Sequence, residues 1–322
     1  MRIVMIVYPP TLREKLPAAI GHDVEIVTLP NEARNTPDFD IEFQPDDVVI
    51  SMEMDRPGGT MPPVALLQLP GAGTDRVAME TLAPETTVCN VYDHEIPIAE
   101  YVLAAMLEWE IGLARMRASF TAQTWPEFSR FRTMHGELYG KTLGVVGFGR
   151  IGREAAKRAA AFGMTVLAVA RRPDGGPADE VHPSDALAEV LPRCDYVLNT
   201  LPLNDVTKGI FDARMLAAMK PTGVIINVGR GETIDEEALF NALSSKSIGG
   251  AIIDVWYQYP RSKGDKPAPS RFDFFGLDNV ILTPHSSAIT DALWSRRAAT
   301  IAENIRRVEA GEPLLNVVRP GI

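Results

Sequence analysis

Residues 141–163 read KTLGVVGFGRIGREAAKRAAAFG, which is the pattern of a strand, a glycine turn and a helix. An apolar run leads into the spacing Gly-x-Gly-x-x-Gly, which opens an alanine-rich helical pattern. Glycines at these positions allow a tight turn, bring the backbone close to a pyrophosphate and let the helix pack against the strand. The backbone N–H groups at the start of that helix favour an anion. The residues predicted to bind a dinucleotide here are Gly147, Gly149, Arg150, Ile151 and Gly152.

Ten short apolar runs recur along the chain, with helix-like segments between them. They cover residues 2–7, 24–27, 47–50, 65–69, 142–147, 165–169, 196–201, 223–228, 250–255 and 279–283. Continuous rather than alternating apolarity is typical of strands buried on both faces. The pattern therefore predicts an α/β protein with two Rossmann-like domains and parallel sheets, the cofactor domain being inserted into the substrate domain.

The chain changes character after Pro97. The runs before it are short and interrupted by prolines, whereas residues 98–113 form a long helical pattern that is followed by six clearly spaced strand signals. An amphipathic helical pattern at 291–309 then returns to the first domain. We therefore predict a substrate domain of residues 1–97 plus 290–322 and a dinucleotide-binding domain of residues 98–289.

Composition narrows the class of partner. The net charge of −10 argues against a nucleic acid or an anionic membrane surface as the main partner of this 322-residue chain. Its first apolar run is too short for a signal peptide, and no run approaches the roughly 20 residues of a membrane span. Cys89 and Cys194 lie at or near apolar runs, which indicates buried free thiols rather than a metal site or a disulfide. We expect a cytoplasmic protein without a metal.

The end of the second strand of the nucleotide unit predicts the cofactor. It reads Val169-Ala170-Arg171-Arg172, without the acidic residue that bonds a ribose 2′-hydroxyl in NAD-binding proteins. The guanidinium groups of Arg171 and Arg172 can hold a 2′-phosphate through charge-assisted hydrogen bonds. The alternative is a pair of solvated surface arginines. We expect NADP(H), with NAD(H) as the second choice.

Two later segments carry candidate catalytic side chains. In INVGRGETID, at 226–235, Arg230 stands at the carboxyl end of a strand, where open α/β sheets bind their ligands. Its guanidinium can grip a carboxylate and polarise the neighbouring carbonyl. In ILTPHSS, at 281–287, His285 can exchange a proton near neutral pH. The other four histidines are interpreted as surface residues, although His94 lies in a loop that could border a cleft.

Six segments together resemble the D-isomer-specific 2-hydroxyacid dehydrogenase family, which includes phosphoglycerate dehydrogenases, glyoxylate/hydroxypyruvate reductases and formate dehydrogenase. They are LPGAGTDRV at 69–77, GKTLGVVGFGRIG at 140–152, LNTLPLNDVTKGIF at 198–211, INVGRGETIDEEAL at 226–239, GGAIIDVW at 249–256 and NVILTPHSS at 279–287. The resemblance covers essentially the whole chain. It implies hydride transfer between a nicotinamide cofactor and a small anionic 2-hydroxy or 2-oxo acid.

The resemblance also implies a role for individual residues. Arg230 would bind the substrate carboxylate and carbonyl, and His285 would be the acid/base. The backbone N–H groups of Ala72 and Gly73 would help to hold the carboxylate. The further residues that would line the cofactor are Thr200, Leu201, Pro202, Val228 and Asp254. A homodimer formed through the region that begins at residue 98 is implied as well, the alternative being an ordinary core helix.

One catalytic position departs from the family pattern. The family has a Glu directly before Pro in a DVFxxEP-like segment, where it pairs with the His; here residues 254–260 read DVWYQYP. Tyr259 stands in the place of the Glu, with Gln258 beside it. A carboxylate raises the pKa of the His, whereas a neutral phenol can at most orient the ring. We therefore expect His285 to titrate lower than in members with the Glu, so that reduction fades at lower pH.

Two alternatives remain open at this stage. One is a formate- or phosphite-like dehydrogenase of the same fold, in which no substrate hydroxyl proton is removed. The other is a non-catalytic nucleotide-sensing protein like the co-repressors that share the fold, against which the retention of Arg230 and His285 argues. The polar, Pro-rich run at 261–275 either shapes the pocket mouth or is a solvated loop.

Overall fold

The chain forms two compact units in the computed structural model, which describes residues 1–57, 59–130, 134–172, 175–260 and 264–322. One unit is Met1–Asp93 with Thr290–Ile322, and the other is His94–Ile289. The second unit is thus inserted into the first. Pro97 lies inside the second unit, in its first helix, rather than at the point where the chain leaves the first.

The first unit begins with five strands of three residues each and one helix of 11 residues. In chain order these are β1 (Ile3–Met5), α1 (Pro10–Ile20), β2 (Ile26–Thr28), β3 (Val48–Ile50), β4 (Leu66–Gln68) and β5 (Thr87–Cys89). Proline at the first helical position suits α1, because its φ is already helical and its missing N–H would have no partner there. The helix ends at Gly21, which has a left-handed φ of +82°.

The inserted unit contains the longer strands. Its helices are α2 (Glu95–Ile111), α3 (Leu113–Ser119), α4 (Trp125–Arg130), α5 (Arg150–Ala161), α6 (Leu187–Val190), α7 (Ala213–Ala217) and α8 (Glu236–Ser244). Its strands are β6 (Thr142–Val146), β7 (Thr165–Ala170), β8 (Glu180–Pro183), β9 (Tyr196–Asn199), β10 (Val224–Asn227), β11 (Gly250–Ile253) and β12 (Val280–Leu282).

The sheet of the inserted unit has the order β8-β7-β6-β9-β10-β11-β12, and every neighbouring pair is parallel. The chain order reverses between β6 and β9, where an open sheet of this kind leaves a crevice beyond the carboxyl ends of its strands. Alanines of α5 pack closely against α2, since Ala155 and Ala159 share a buried core with Val102 and Met106.

The chain returns to the first unit as α9 (Asp291–Ala310) and β13 (Val317–Arg319). The sheet there has the order β2-β1-β3-β4-β5-β13, and only β13 runs antiparallel among the paired strands described. The helix covers one face of this sheet, because Ile301 and Ile305 share a core with Leu12 and Leu16 of α1. The predicted α/β class with two Rossmann-like domains is confirmed.

The sequence prediction missed three strands, β5, β8 and β13. β13 is a partly exposed edge strand, with Val317 46% and Val318 40% exposed, and β8 is an edge strand of half-buried polar composition. Neither presents the continuous apolar run that marked the central strands. β5 is buried but only three residues long, so its pattern is too short to stand out.

The two cysteines are buried free thiols, as predicted. Burial raises the pKa of both Cys89 and Cys194 to about 12, so each thiol stays protonated near neutral pH. Across the described ranges, none of the helices combines the length and apolarity that crossing a membrane requires.

Candidate active site

The turn between β6 and α5 excludes side chains at its first and third glycines. Gly147 has φ +96°, and a Cβ there would lie 2.8 Å from the Thr200 hydroxyl oxygen. A Cβ on Gly152 would lie 2.5 Å from the backbone oxygen of Gly147. The first glycine therefore permits both the left-handed turn and the approach of the loop after β9, and the third permits close helix packing.

The second glycine of the turn faces open space. A Cβ on Gly149 would meet no protein atom within 4 Å, although its φ of −85° would suit any residue. As the N-cap of α5, Gly149 offers no side chain to the first N–H groups of the helix, which begins at Arg150. Uncapped N–H groups beside cleared space form a site for an anion. The described residues therefore fit the pyrophosphate of a dinucleotide.

The end of β7 presents two cationic side chains. Arg171 and Arg172 are exposed and follow directly after Ala170. Within the described ranges, neither guanidinium has an ion pair or a hydrogen bond. Nearby, Arg153 of α5 donates to the backbone oxygen of Gly175 at 2.9 Å, so the segment that follows β7 is tied to the nucleotide helix. The arrangement suits a phosphate placed beyond the strand end.

The loop after β9 carries the predicted cofactor-lining residues Thr200, Leu201 and Pro202. The Thr200 hydroxyl donates to the backbone oxygen of Gly147 at 2.5 Å, which joins this loop to the glycine turn. The Pro202 oxygen accepts from the Thr207 hydroxyl at 2.6 Å. The loops after β6 and β9, on either side of the reversal in strand order, are thus held together by hydrogen bonds.

A buried polar cluster supports the loop that carries Arg230. The side-chain amide of Asn199 donates to the Asn227 side-chain oxygen (2.9 Å) and to the Thr233 hydroxyl (2.6 Å). The Asn227 amide at 3.1 Å and the Thr233 hydroxyl at 2.6 Å then both donate to the backbone oxygen of Arg230. Because a buried polar group without a partner costs stability, this cluster holds the Arg230 backbone in one position.

Two glycines bracket Arg230 between neighbouring loops. A Cβ on Gly229 would lie 2.6 Å from the backbone oxygen of Leu201, and a Cβ on Gly231 would collide with the backbone of Trp256. The Arg230 side chain is half-buried, and one of its terminal nitrogens donates to the Gly229 oxygen at 2.9 Å. The loops after β9, β10 and β11 therefore meet at Arg230.

Asp254, directly after β11, anchors the loop that carries His285. Its carboxylate is fully buried and accepts hydrogen bonds from the backbone N–H groups of Ser286 (2.9 Å) and Ser287 (3.1 Å). The Thr283 hydroxyl also donates to it at 2.6 Å. Charge-assisted bonds of this kind are about twice as strong as neutral ones, so this carboxylate defines the course of the loop.

His285 itself has a left-handed backbone with φ +56°. This conformation is uncommon outside glycine and costs roughly 1–3 kcal/mol unless the surroundings impose it. The half-buried Tyr101 of α2 helps to hold this loop, since its hydroxyl lies 2.8 Å from the Thr283 hydroxyl, whose own proton goes to Asp254. Burial raises the pKa of Tyr101 to about 12, so it remains a neutral donor.

The Tyr259 hydroxyl lies 2.9 Å from Nδ1 of His285. Its oxygen also accepts the backbone N–H of Trp256 at 2.9 Å, and the Trp256 indole N–H donates to the Thr283 oxygen at 2.9 Å. Trp256 therefore connects the loop after β11 with the loop after β12. A candidate proton carrier with a neutral partner results, at the same edge of the sheet as Arg230.

The comparisons with known proteins now identify the family. The profile of the "D-isomer specific 2-hydroxyacid dehydrogenase, NAD binding domain" family matches residues 103–287. The glyoxylate reductase of Thermococcus onnurineus is 31% identical over 271 residues, covering 77% of this chain and 77% of that protein. The chain belongs to the D-isomer-specific 2-hydroxyacid dehydrogenase family. The family prediction made from the sequence is confirmed.

One further sequence relative and one solved structure are similar to this chain. The D-3-phosphoglycerate dehydrogenase of Methanocaldococcus jannaschii is 35% identical over 256 residues, which are 77% of this chain and 46% of that protein. The chain thus spans less than half of that relative. A solved 2-hydroxyacid dehydrogenase from Xanthobacter autotrophicus Py2, in complex with NADPH and MES, has a TM-score of 0.74 at 27% identity, covering 98% of this chain and 97% of that chain.

Some residues implied by the family lie in the other unit. Ala72 and Gly73 belong to the loop after β4, where the Asn90 side chain donates to the Ala72 oxygen at 2.9 Å. Their role in holding a carboxylate stays a prediction. Val228, by contrast, is buried directly after β10, in the same loop as Arg230.

His94 lies at the start of α2, beside an acidic residue that the sequence analysis did not single out. Its Nδ1 is 3.6 Å from Oε2 of Glu95, and Oε1 of Glu95 is 3.6 Å from a terminal nitrogen of Arg150. Glu95 is only 8% exposed. It therefore connects the start of α2 with the first residue of the nucleotide helix.

The second half of the 261–275 run is bonded to α8 and packs against Trp256. Its first residues, 261–263, lie outside the described residues. Glu236 of α8 accepts hydrogen bonds from the Ser270 hydroxyl (2.8 Å) and from Nε of Arg271 (2.6 Å). Phe275 stacks on Trp256 with ring centroids 5.8 Å apart. The segment thus buttresses the residue that joins the Tyr259 and His285 loops.

Proposed function

We propose that this family member transfers a hydride between NADP(H) and a small 2-oxo or 2-hydroxy acid. The observation that carries the proposal is that the loops after β10, β11 and β12 leave the same edge of the sheet. His285 is bonded to Tyr259 there, and Arg230 lies in the loop after β10, which packs against the loop after β11. When bound, the nicotinamide supplies or accepts the hydride. The side chains bind and orient the acid and move its proton.

Each side chain has a distinct proposed role. Arg230 binds the substrate carboxylate and polarises the adjacent carbonyl. His285 gives a proton to the substrate oxygen during reduction and takes one during oxidation, through the ring nitrogen opposite the one that Tyr259 contacts. Asp254 positions the loop that carries His285, because its carboxylate already accepts three hydrogen bonds from that loop.

The choice of NADP(H) rests on the end of β7. A carboxylate there would repel a 2′-phosphate, whereas the exposed guanidinium groups of Arg171 and Arg172 attract one. The solved relative from Xanthobacter autotrophicus Py2 was obtained with NADPH, which supports the same choice. The loop residues Thr200, Leu201, Pro202 and Val228 are proposed to line the rest of the cofactor.

Steady-state kinetics test the proposal directly. The purified protein is assayed with NADPH and with NADH against a panel that includes glyoxylate, hydroxypyruvate and larger 2-oxo acids. We expect reduction of at least one acid, a higher kcat/KM with NADPH, and a fall in kcat of roughly 10²–10⁴-fold in His285→Asn. Tight NADPH binding without turnover of any acid would overturn the proposal and favour a nucleotide sensor.

Tyr259 favours one second candidate, a dehydrogenase that acts on a donor such as formate. Formate gives up a hydride without losing a hydroxyl proton, so its oxidation does not need a His held ready by a carboxylate. The same panel therefore includes oxidation of formate with NADP⁺ and NAD⁺. Turnover of formate with no reduction of any 2-oxo acid would select this candidate.

We also propose that the protein is a homodimer. Apolar side chains are exposed in and next to α3 and α4, with Leu113 58%, Phe120 57% and Trp125 56% exposed. The rings of Phe120 and Trp125 lie 5.9 Å apart and form a single apolar patch. Light scattering should give twice the chain mass of 35.2 kDa, and a monomer mass would refute the proposal.

A further inference from the structure

Two nitrogen atoms lie within hydrogen-bond distance of the Tyr259 oxygen. One is the backbone nitrogen of Trp256 and the other is Nδ1 of His285, each at 2.9 Å. A peptide N–H can only donate, so the Tyr259 oxygen is the acceptor in its bond with Trp256. The imidazole nitrogen, in contrast, can donate or accept, and the tautomer decides which. The bond from the Trp256 N–H to Tyr259 therefore limits which hydrogen bond Tyr259 can make with His285.

A phenol keeps its proton near the ring plane, on the side away from its in-plane acceptor position. Because the Trp256 N–H donates to the Tyr259 oxygen, the phenol proton does not point at Trp256 and is available to Nδ1 of His285. We propose that Tyr259 donates its proton to Nδ1 of His285 and thereby holds the neutral imidazole as the tautomer with its proton on Nε2. Tyr259 is then a positioning residue that determines which ring nitrogen of the neutral His285 carries the proton. The catalytic consequence rests on the proposed function, but the tautomer does not.

The frame around this hydrogen bond favours a fixed geometry. Trp256 is 6% exposed, and its indole N–H is bonded to the Thr283 oxygen in the loop that carries His285. The Tyr259 and His285 rings lie 5.5 Å apart between centroids with an interplanar angle of 58°. Rotation of the Tyr259 oxygen away from His285 would therefore also break its bond with Trp256.

A phenol in this arrangement acts in the opposite direction to a carboxylate. A carboxylate accepts the Nδ1–H of an imidazolium and stabilises it, so the pKa of the His rises. Tyr259 donates to Nδ1 and favours the neutral ring, so the pKa of His285 falls. Reduction needs the protonated ring, and its rate is therefore lost as the pH rises through this lowered value. The neutral ring would still offer a substrate carbonyl an Nε2–H donor.

Other groups around the His285 loop also influence its charge. The Asp254 carboxylate, from the end of β11, accepts bonds from Ser286 and Ser287 and favours a protonated ring. Tyr101, from α2, is neutral near pH 7 because burial raises its pKa to about 12. Both groups stay in place when Tyr259 alone is replaced. A comparison of Tyr259 variants therefore isolates the contribution of the phenol.

Nuclear magnetic resonance reads the tautomer without any turnover. Protein labelled with ¹⁵N-histidine is examined by two-bond ¹H–¹⁵N correlation above the pKa of His285, and His285→Asn identifies the signals of this ring. We expect a bare Nδ1 and a protonated Nε2 in the wild type, and loss of this preference in Tyr259→Phe. A proton on Nδ1 of the wild-type ring would overturn the proposal.

The pH profile of kcat/KM for reduction tests the consequence. Tyr259→Phe removes the donor and should move the loss of activity to higher pH by roughly 0.5–1 unit, and Tyr259→Glu should move it further. Tyr257→Phe removes a neighbouring hydroxyl and should leave the profile unchanged. If Tyr259→Phe lowers the rate equally at every pH, the phenol only orients the ring and the proposal fails. If no substrate turns over, the proposed function fails while the tautomer measurement still decides this inference.

Discussion

The turn after β6 and the loop after β12 leave the same edge of one parallel sheet, but they are built in opposite ways. The turn works by the absence of side chains, since Cβ atoms on Gly147 and Gly152 would collide with neighbouring atoms. The loop works through a side chain, because the Asp254 carboxylate holds its backbone while His285 adopts a left-handed φ. Binding an anion by backbone groups requires room, whereas presenting one side chain requires anchors.

The largest effect is expected where the anchor is changed. Asp254→Asn keeps the shape of the side chain but turns one of its two acceptor oxygens into an NH₂ group, which cannot accept the backbone N–H that faces it. The substitution also removes the negative charge that strengthens the remaining bonds. The free energy of unfolding should fall by about 1.5–3 kcal/mol, and kcat should fall because His285 loses its position. Calorimetry and reduction kinetics measure the two effects.

A matched carboxylate separates this role from charge in general. Asp278 stands just before β12 and pairs on the surface with Lys246 at 3.0 Å. Asp278→Asn should change stability by less than about 1 kcal/mol, since exposed ion pairs contribute little. If Asp254→Asn mainly raised the Kd for NADPH and left kcat unaltered, direct contact with the cofactor would explain Asp254 better than anchoring does.

The same contrast explains what the sequence could predict. The glycine turn was readable because its three glycines and both flanking elements are contiguous in the chain. The anchoring role of Asp254 was not, because its partners lie about thirty residues away and no local pattern joins them. Family resemblance placed Asp254 near the cofactor, which remains untested, and did not indicate that it holds the His285 loop.

Arg230 shows a similar division. Its place at a strand end followed from the apolar run before it, and the structure has it directly beyond β10. Its support did not follow, because Asn199 ends the neighbouring strand β9 and supports Arg230 only through its bonds with Asn227 and Thr233. A polar residue that ends a buried strand, such as Asn199 or Asn227, was a signal that sequence reasoning could have used, since a buried polar group needs a partner.

A smaller effect is expected at the end of β7, which extends the anion site of the turn. Arg171→Ala and Arg172→Ala each remove a guanidinium proposed to bind the 2′-phosphate. For the residue that makes the contact, kcat/KM with NADPH should fall about 10–100-fold, while the value with NADH stays unchanged. Arg214→Ala, which removes an exposed charge from α7, should change neither value. Equal losses with both cofactors would contradict a 2′-phosphate contact.

The smallest structural effect, and the sharpest test of the comparison, is expected at Gly149. Gly149→Ala adds a methyl group where no protein atom lies within 4 Å, so the free energy of unfolding should fall by less than about 1 kcal/mol, which is the effect of a poorer N-cap residue. Gly152→Ala places the same group 2.5 Å from a backbone oxygen and should destabilise by about 1–3 kcal/mol. Thermal unfolding without ligand measures both.

The two variants should separate again when NADPH is titrated. The methyl group of Gly149→Ala occupies the space proposed for the pyrophosphate, so the Kd should rise although the fold is intact. The tautomer of His285 should not change in this variant, because the Asp254 anchor and the Tyr259 bond are untouched. An unchanged Kd for Gly149→Ala would mean that the cleared space is not where the dinucleotide binds, and the turn would then be a packing feature only.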